Sequence, residues 1–172
     1  MGHKVLVTYG SKYGATAEIA ERVGQVLREN GLDVEVKPAG QVSDLTYYSA
    51  VILGSSVYFG LWRKEAAALL TDLAQQLAER PTWLFSSGPT GEGDPVDQMK
   101  GWRFPEGLQA TADRIKPGDI AFFCGKIDLS KLGLFERWMV KALKAPVGDF
   151  RNWEAIESWA AGIARALQEK AN

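Results

Sequence analysis

The chain has 172 residues, 46% of them hydrophobic and 24% charged. That is an ordinary globular balance, at a size that buries about two-thirds of the unfolded surface. Its net charge of −1 gives it no field to draw in nucleic acid or another polyanion. The single cysteine, Cys124, excludes an internal disulfide and a Cys-rich metal site, and suits a reducing compartment.

In chain order, Met1 to Lys4 runs straight into a strand-like segment, which reads as a cytoplasmic start rather than a signal peptide. The Met-Gly opening lacks a myristoylation motif, because Leu6 stands where Ser or Thr is required. His3, close to the terminus, is read as a bystander. Val5 to Tyr9 is a short apolar run bounded by Gly10 and Ser11, and predicts a buried strand. Ala15 to Asn30 carries Ile19, Val23, Val26 and Leu27 at helical spacing and stops at Gly31. Leu32 to Lys37 alternates as an edge strand would, and Ala50 to Ser56 is a third strand. Lys64 to Ala78 predicts one helix, closed before Pro81. Thr82 to Phe85 and Ile120 to Cys124 predict the fourth and fifth strands, with Cys124 a small buried hydrophobe. Helices are expected at Leu129 to Leu143 and Trp153 to Gln168. Between the fourth and fifth strands, Ser86 to Gly118 is rich in Gly and Pro and reads as a long loop insertion, near 87–118, of functional rather than idle kind.

Strict β–α alternation predicts one α/β domain over residues 1–172, with helices on both faces of the sheet. The expected class is a doubly wound, five-stranded parallel sheet of order 2-1-3-4-5 in three α/β/α layers. Ligands of such sheets sit beyond the carboxyl ends of the strands, where the strand order reverses, and the first strand lies at that point. Its loop, "TYGSKYGAT", therefore faces a ligand. A helix starting near Ala15 aims unpaired N–H groups and its positive dipole end at the loop. Ser11 and Thr16 add hydroxyls, and Gly14 permits a close backbone approach, so the segment reads as a phosphate cradle. The same residues also suit a plain helix cap with a turn glycine. Neither a P-loop nor a G-x-G-x-x-G fingerprint is present.

"YGSKYGATAEIA" resembles the phosphate loop of flavodoxins, roughly [ST]-x-T-G-x-T before a helix. Ser11, Gly14 and Thr16 match, and Tyr13 replaces the middle Thr. The resemblance implies a flavodoxin-like fold and FMN held by Ser11, Lys12, Tyr13, Gly14, Ala15 and Thr16. Two further loops fall where a flavodoxin needs them. "GSSVYFGLW" offers Ser56, Val57, Tyr58, Phe59 and Gly60 to the isoalloxazine ring, with Tyr58 or Phe59 stacking on it and Trp62 a further candidate for ring and substrate packing. "SSGPTGEG" offers Ser87, Gly88, Pro89, Thr90 and Gly91 to the polar pyrimidine edge. Taken singly, the second loop also suits an aromatic core cluster and the third a Gly-rich turn.

Electron-carrier flavodoxins are strongly acidic, and at −1 this chain is not. Its C-terminal stretch, from "FFCGKIDLSKLGLFERWMVKALK" to the Trp153 helix, resembles the menaquinone-dependent protoporphyrinogen oxidase family. That resemblance implies an oxidoreductase of heme biosynthesis that oxidises protoporphyrinogen IX, or a related organic donor, and passes the electrons through FMN to a quinone. The alternatives are a flavodoxin-type electron carrier without an organic substrate, an NAD(P)H:quinone reductase, and a flavodoxin-like domain without FMN. No acid–base constellation stands out, so no catalytic side chain and no metal ligand is named. The apolar positions around Phe135 and Trp138, with Lys131, Arg137, Lys141 and Lys144, suit either of two roles. The apolar face packs on the sheet, or residues 129–144 lie peripherally on the anionic inner face of a membrane where the quinone dissolves.

Overall fold

The computed structural model describes residues 3–172; the Met-Gly start lies outside the described residues. The strands are β1 (Lys4–Gly10), β2 (Val34–Pro38), β3 (Tyr48–Tyr58), β4 (Leu61–Trp62), β5 (Thr82–Ser87), β6 (Ile120–Phe123), β7 (Lys126–Ile127) and β8 (Gly148–Asp149). The helices are α1 (Ala15–Glu29), α2 (Lys64–Asp72), α3 (Ala74–Ala78), α4 (Pro95–Gln98), α5 (Glu106–Ile115), α6 (Leu134–Ala142) and α7 (Trp153–Ala171). Five parallel strands pair in the order β2-β1-β3-β5-β6, with β4 folded back antiparallel on β3. Set aside the two-residue β4, and this is the expected 2-1-3-4-5 order.

The apolar runs form strands because both faces of the sheet are covered. Side chains alternate across a strand. Val5 and Val7 join Ile52, Trp83 and Phe85 under α1 and α7. Leu6 joins Val51, Leu53 and Leu84 under α2, α3 and α5. The register locks these layers, with Val7 opposite Ile52 and Leu53 opposite Leu84.

Three elements differ from the expectation. The helix over 64–78 is two helices, broken at Leu73 (φ −104°, ψ 20°). No Gly or Pro marks the break. The chain after it is held from outside: the Gln76 carboxamide accepts from Leu45 N–H, and buried Arg80 donates to the carbonyls of Gln76, Leu45 and Tyr48. The stretch read as a loop over 87–118 carries α4 and α5. The latter buries Thr111, Ala112 and Ile115 and is the crossover that parallel β5 and β6 require. The helix over 129–143 is shortened: Leu129–Lys131 is a single 3₁₀ turn, and α6 begins only after Gly133.

Gly54, at the centre of β3, shows how tightly the layers meet. A Cβ there would lie 2.0 Å from Cζ of Phe85, whose ring is fully buried. Gly54→Ala is therefore expected to destabilise the protein by about 1–3 kcal/mol or more through overpacking. Urea unfolding checks this, and an unchanged midpoint would mean that the ring has room to move.

Candidate functional site

β1 lies where the strand order reverses, with β2 on one side and β3 on the other. Three loops leave the sheet at its carboxyl edge there, after β1, β3 and β5.

After β1, Gly14 takes a left-handed conformation (φ 92°) as the N-cap of α1, and no side chain caps the helix. A Cβ on Gly14 would meet only Lys131 Nζ, at 4.0 Å. Ser11 Oγ accepts from the Gly14 N–H at 3.1 Å, which leaves the Ser11 hydroxyl hydrogen to donate elsewhere. Thr16 is buried, and its hydroxyl shares a 2.8 Å hydrogen bond with Ser87 Oγ, so one hydroxyl hydrogen of that pair is already used. Ala15 is the first helical residue. Lys12 turns to α6, with its ammonium 2.6 Å from Glu136 Oε1. Tyr13 meets Tyr58 edge-on, at 6.4 Å between ring centres.

After β3, Phe59 (φ 52°) and Gly60 (φ 75°) connect Tyr58 to Leu61. Two residues at positive φ make the type I′ hairpin turn, which favours Asn-Gly and is costly for an aromatic residue. The strained Phe59 is also 81% exposed. Backbone strain that holds an apolar side chain out in water is a mark of a binding site. Ser56 is buried and Val57 half-buried. Trp62 differs from its expected place beside the ring. It lies in the core, donates Nε1–H to Ser86 Oγ at 2.8 Å and packs edge-on against Phe104.

After β5, Gly88 lies so close to Val57 that an added Cβ would sit 3.2 Å from Val57 Cβ. Gly88 donates to the Phe123 carbonyl, and the Pro89 carbonyl accepts from Gly125. Thr90 and Gly91 are partly exposed. Three contacts thus join the predicted loops to one another: Thr16 to Ser87, Tyr13 to Tyr58, and Val57 to Gly88.

Two residues here were not singled out from the sequence. The Gln98 carboxamide donates to the carbonyls of Gly91, Glu92 and Gly93 and so fixes the third loop. Trp102 approaches Gly60, with Nε1 3.6 Å from where a Cβ would be, and packs edge-on against Phe122. An aromatic residue within a Gly- and Pro-rich stretch was the available signal for Trp102. A lone Gln gives none.

The apolar side of α6 does not pack on the sheet. The helix buries no residue, Leu134, Phe135, Trp138 and Leu143 are exposed, and Phe135 stacks on Trp138. Its link to the site is Glu136. Hydrogen bonds from Lys12, from Tyr13 and from the Gly133 N–H pull this carboxyl down to about 2. Burial pushes the Cys124 thiol up, which makes it a poor nucleophile. No helix among the described residues is long and apolar enough to cross a membrane.

Fold and loops together define a doubly wound α/β protein with three loops gathered at its topological switch point. A flavodoxin-domain family model matches residues 6–152, and the chain belongs to this flavodoxin-domain family. Protoporphyrinogen IX dehydrogenase [quinone] of Escherichia coli K12 is 20% identical, over 94% of each chain. NAD(P)H dehydrogenase (quinone) of Methylocella silvestris is 30% identical over 89 residues, which cover 39% of this chain and 45% of that protein. This match therefore spans less than half the length of that relative. Among solved structures, a flavodoxin from the domain Archaea superposes with a TM-score of 0.64 at 14% identity, covering 96% of this chain and 99% of that one.

Family membership implies FMN as the cofactor. The residues fit it: an uncapped helix start, a left-handed glycine with open space beside it, and a Ser11 hydroxyl with its hydrogen free.

The Lys12–Glu136 tether yields a pH dependence. The Glu136 carboxyl titrates near 2 in the folded protein, against an ordinary 4.5. A carboxylate with a lowered pKa holds its contacts above the ordinary value and loses them as pH falls toward the folded one. The tether is therefore complete above about pH 4.5 and released towards pH 2. At neutral pH, Glu136→Gln is expected to speed amide exchange across α6 while β1 and β3 stay protected. Unchanged exchange in α6 would show that the ion pair does not hold the helix.

Proposed function

We propose that the protein is an FMN-dependent oxidoreductase that takes electrons two at a time from an organic donor of the protoporphyrinogen IX kind and passes them to a quinone. The observation that carries this reading is the similarity to the E. coli dehydrogenase along 94% of both chains. The near-neutral charge supports it too, since a carrier that docks on basic redox partners needs an acidic field. Bound FMN supplies the two-electron chemistry.

The chain's own residues bind and orient. The first-turn N–H groups of α1 and the Ser11 hydroxyl hold the phosphate, with Lys12 and Tyr13 on the loop's outer side. Tyr58 and Phe59 pack against the ring, bounded by Ser56, Val57 and Gly60. Backbone groups of 88–91, with Ser87 and Thr90, meet the polar edge. The exposed aromatic residues of α6, flanked by Lys131, Arg137, Lys141 and Lys144, rest on an anionic membrane surface from which the quinone is drawn.

A second reading, an NAD(P)H:quinone reductase, is favoured by the similarity to the M. silvestris enzyme. Adding NADH, protoporphyrinogen IX and a menaquinone analogue in turn to the FMN-loaded protein separates the two. The proposal expects bleaching of the flavin's visible absorption by protoporphyrinogen and its recovery with the quinone. Rapid bleaching by NADH alone selects the reductase reading, and failure of every donor leaves the carrier.

Two further outcomes follow. Ser11→Ala is expected to weaken FMN by about 1–3 kcal/mol, the scale of a lost hydrogen bond to a charged group, and to leave riboflavin nearly unaffected. Equal losses for both flavins would remove Ser11 from the phosphate site. Replacing both Lys141 and Lys144 with Glu is expected to abolish low-salt co-sedimentation with anionic vesicles and keep the bound-FMN spectrum. A parent protein that binds no vesicle at any salt concentration overturns the membrane contact.

A further inference from the structure

Arg151 lies on the connector from β8 to α7, and its side chain is only 3% exposed. Burying a guanidinium is costly unless its donors are matched. Here they are matched from two directions. Asp149 takes Nε at 2.9 Å and Nη2 at 2.7 Å as a fork. Nη1 reaches the first turn of α1, where it donates to the Ala15 carbonyl at 3.1 Å and to Glu18 Oε2 at 2.5 Å. The cation also lies over the Trp153 ring, at 4.6 Å.

Joining α7 to α1 does not require this residue. The two helices already share an apolar layer that includes Ile19, Val23, Ile156 and Ile163, and they are bridged by Arg22 with Glu157. What Arg151 adds is confined to the start of α1. That start is the uncapped turn whose N–H groups face the cradle. Glu18 sits in this turn and places a negative charge beside any dianion bound there. An anion at a helix start is favoured by the dipole, but a carboxylate in the same turn opposes it.

We propose that Arg151 is a positioning residue for the phosphate of the cofactor. Its single charge, shared with Asp149, offsets part of the Glu18 charge, and its contact pins the Ala15 carbonyl, so that the first-turn N–H groups stay aligned on the phosphate. The proposal rests on the reading of residues 11–16 as the phosphate site. A residue 136 positions away in sequence thus sets the charge and the alignment of the cradle.

Flavin fluorescence quenching at low salt tests this, with FMN and riboflavin titrated into the wild type, Arg151→Met, Arg151→Lys, and each of these variants combined with Glu18→Gln. In the wild type, FMN must bind more tightly than riboflavin; equal binding overturns the cradle reading itself, before any variant is considered. Given that preference, Arg151→Met is expected to weaken FMN about tenfold or more while riboflavin changes less than about twofold. Arg151→Lys keeps the charge but not the fork, and is expected to fall between. Adding Glu18→Gln is expected to restore most of the lost FMN affinity in either background. A purely structural role weakens both flavins alike and gains nothing from Glu18→Gln, and that result overturns the proposal. If Arg151→Met does not fold, the Arg151→Lys pair decides on the same two criteria.

Discussion

The site depends on one incomplete structure, the start of α1. A helix leaves its first N–H groups without partners, and most helices satisfy one of them with a capping side chain. Here the N-cap is Gly14 in the left-handed region, with no side chain to offer. The nearby hydroxyls are otherwise arranged, since Ser11 accepts from Gly14 and Thr16 is engaged with Ser87. The turn is thus left open to an external anion, at the one sheet position where the chain departs in both directions. The rest of the edge is built around this opening. Loops two and three are held to loop one, Gln98 gathers the third loop, and strain in the Phe59–Gly60 turn keeps an aromatic ring in solvent.

Much of this was legible in the sequence, for a physical reason. β1, β3 and β5 are covered on both faces, so they read as unbroken apolar runs, and the loops after them carry the Gly, Ser and Thr that such an edge demands. What was not legible depended on long-range contacts. The break at Leu73 has no local breaker and is set by Gln76 and Arg80 reaching β3 and the segment before it. The helix α5 was hidden because Gly107 and Thr111 dilute a short apolar stripe. Trp62 was placed by its neighbours in sequence, whereas its indole N–H found Ser86 across the sheet. Arg151 gave no signal at all, because its meaning lies in an acid and a carbonyl on α1.

The periodicity of α6 was equally plain, but period alone does not say what an apolar face meets. The helix leaves that face in solvent and fastens itself to the cofactor loop through Glu136 and Lys12. An exposed apolar patch rimmed by cations is unusual on a chain with so little net charge, and it lies on the element that touches the loop after β1. The exposed apolar face and the loop after β1 therefore share a boundary, joined by the Lys12–Glu136 pair.

The central claim, that the bare start of α1 holds a phosphate dianion, is tested most directly by phosphorus-31 NMR of the FMN-loaded protein. A phosphate monoester in water takes up its second proton near pH 6. Held by helix N–H groups, its resonance should stay at the dianion position from about pH 8 down to about pH 5. A bound resonance that titrates with a midpoint near 6, as a phosphate does in free solution, would contradict the account.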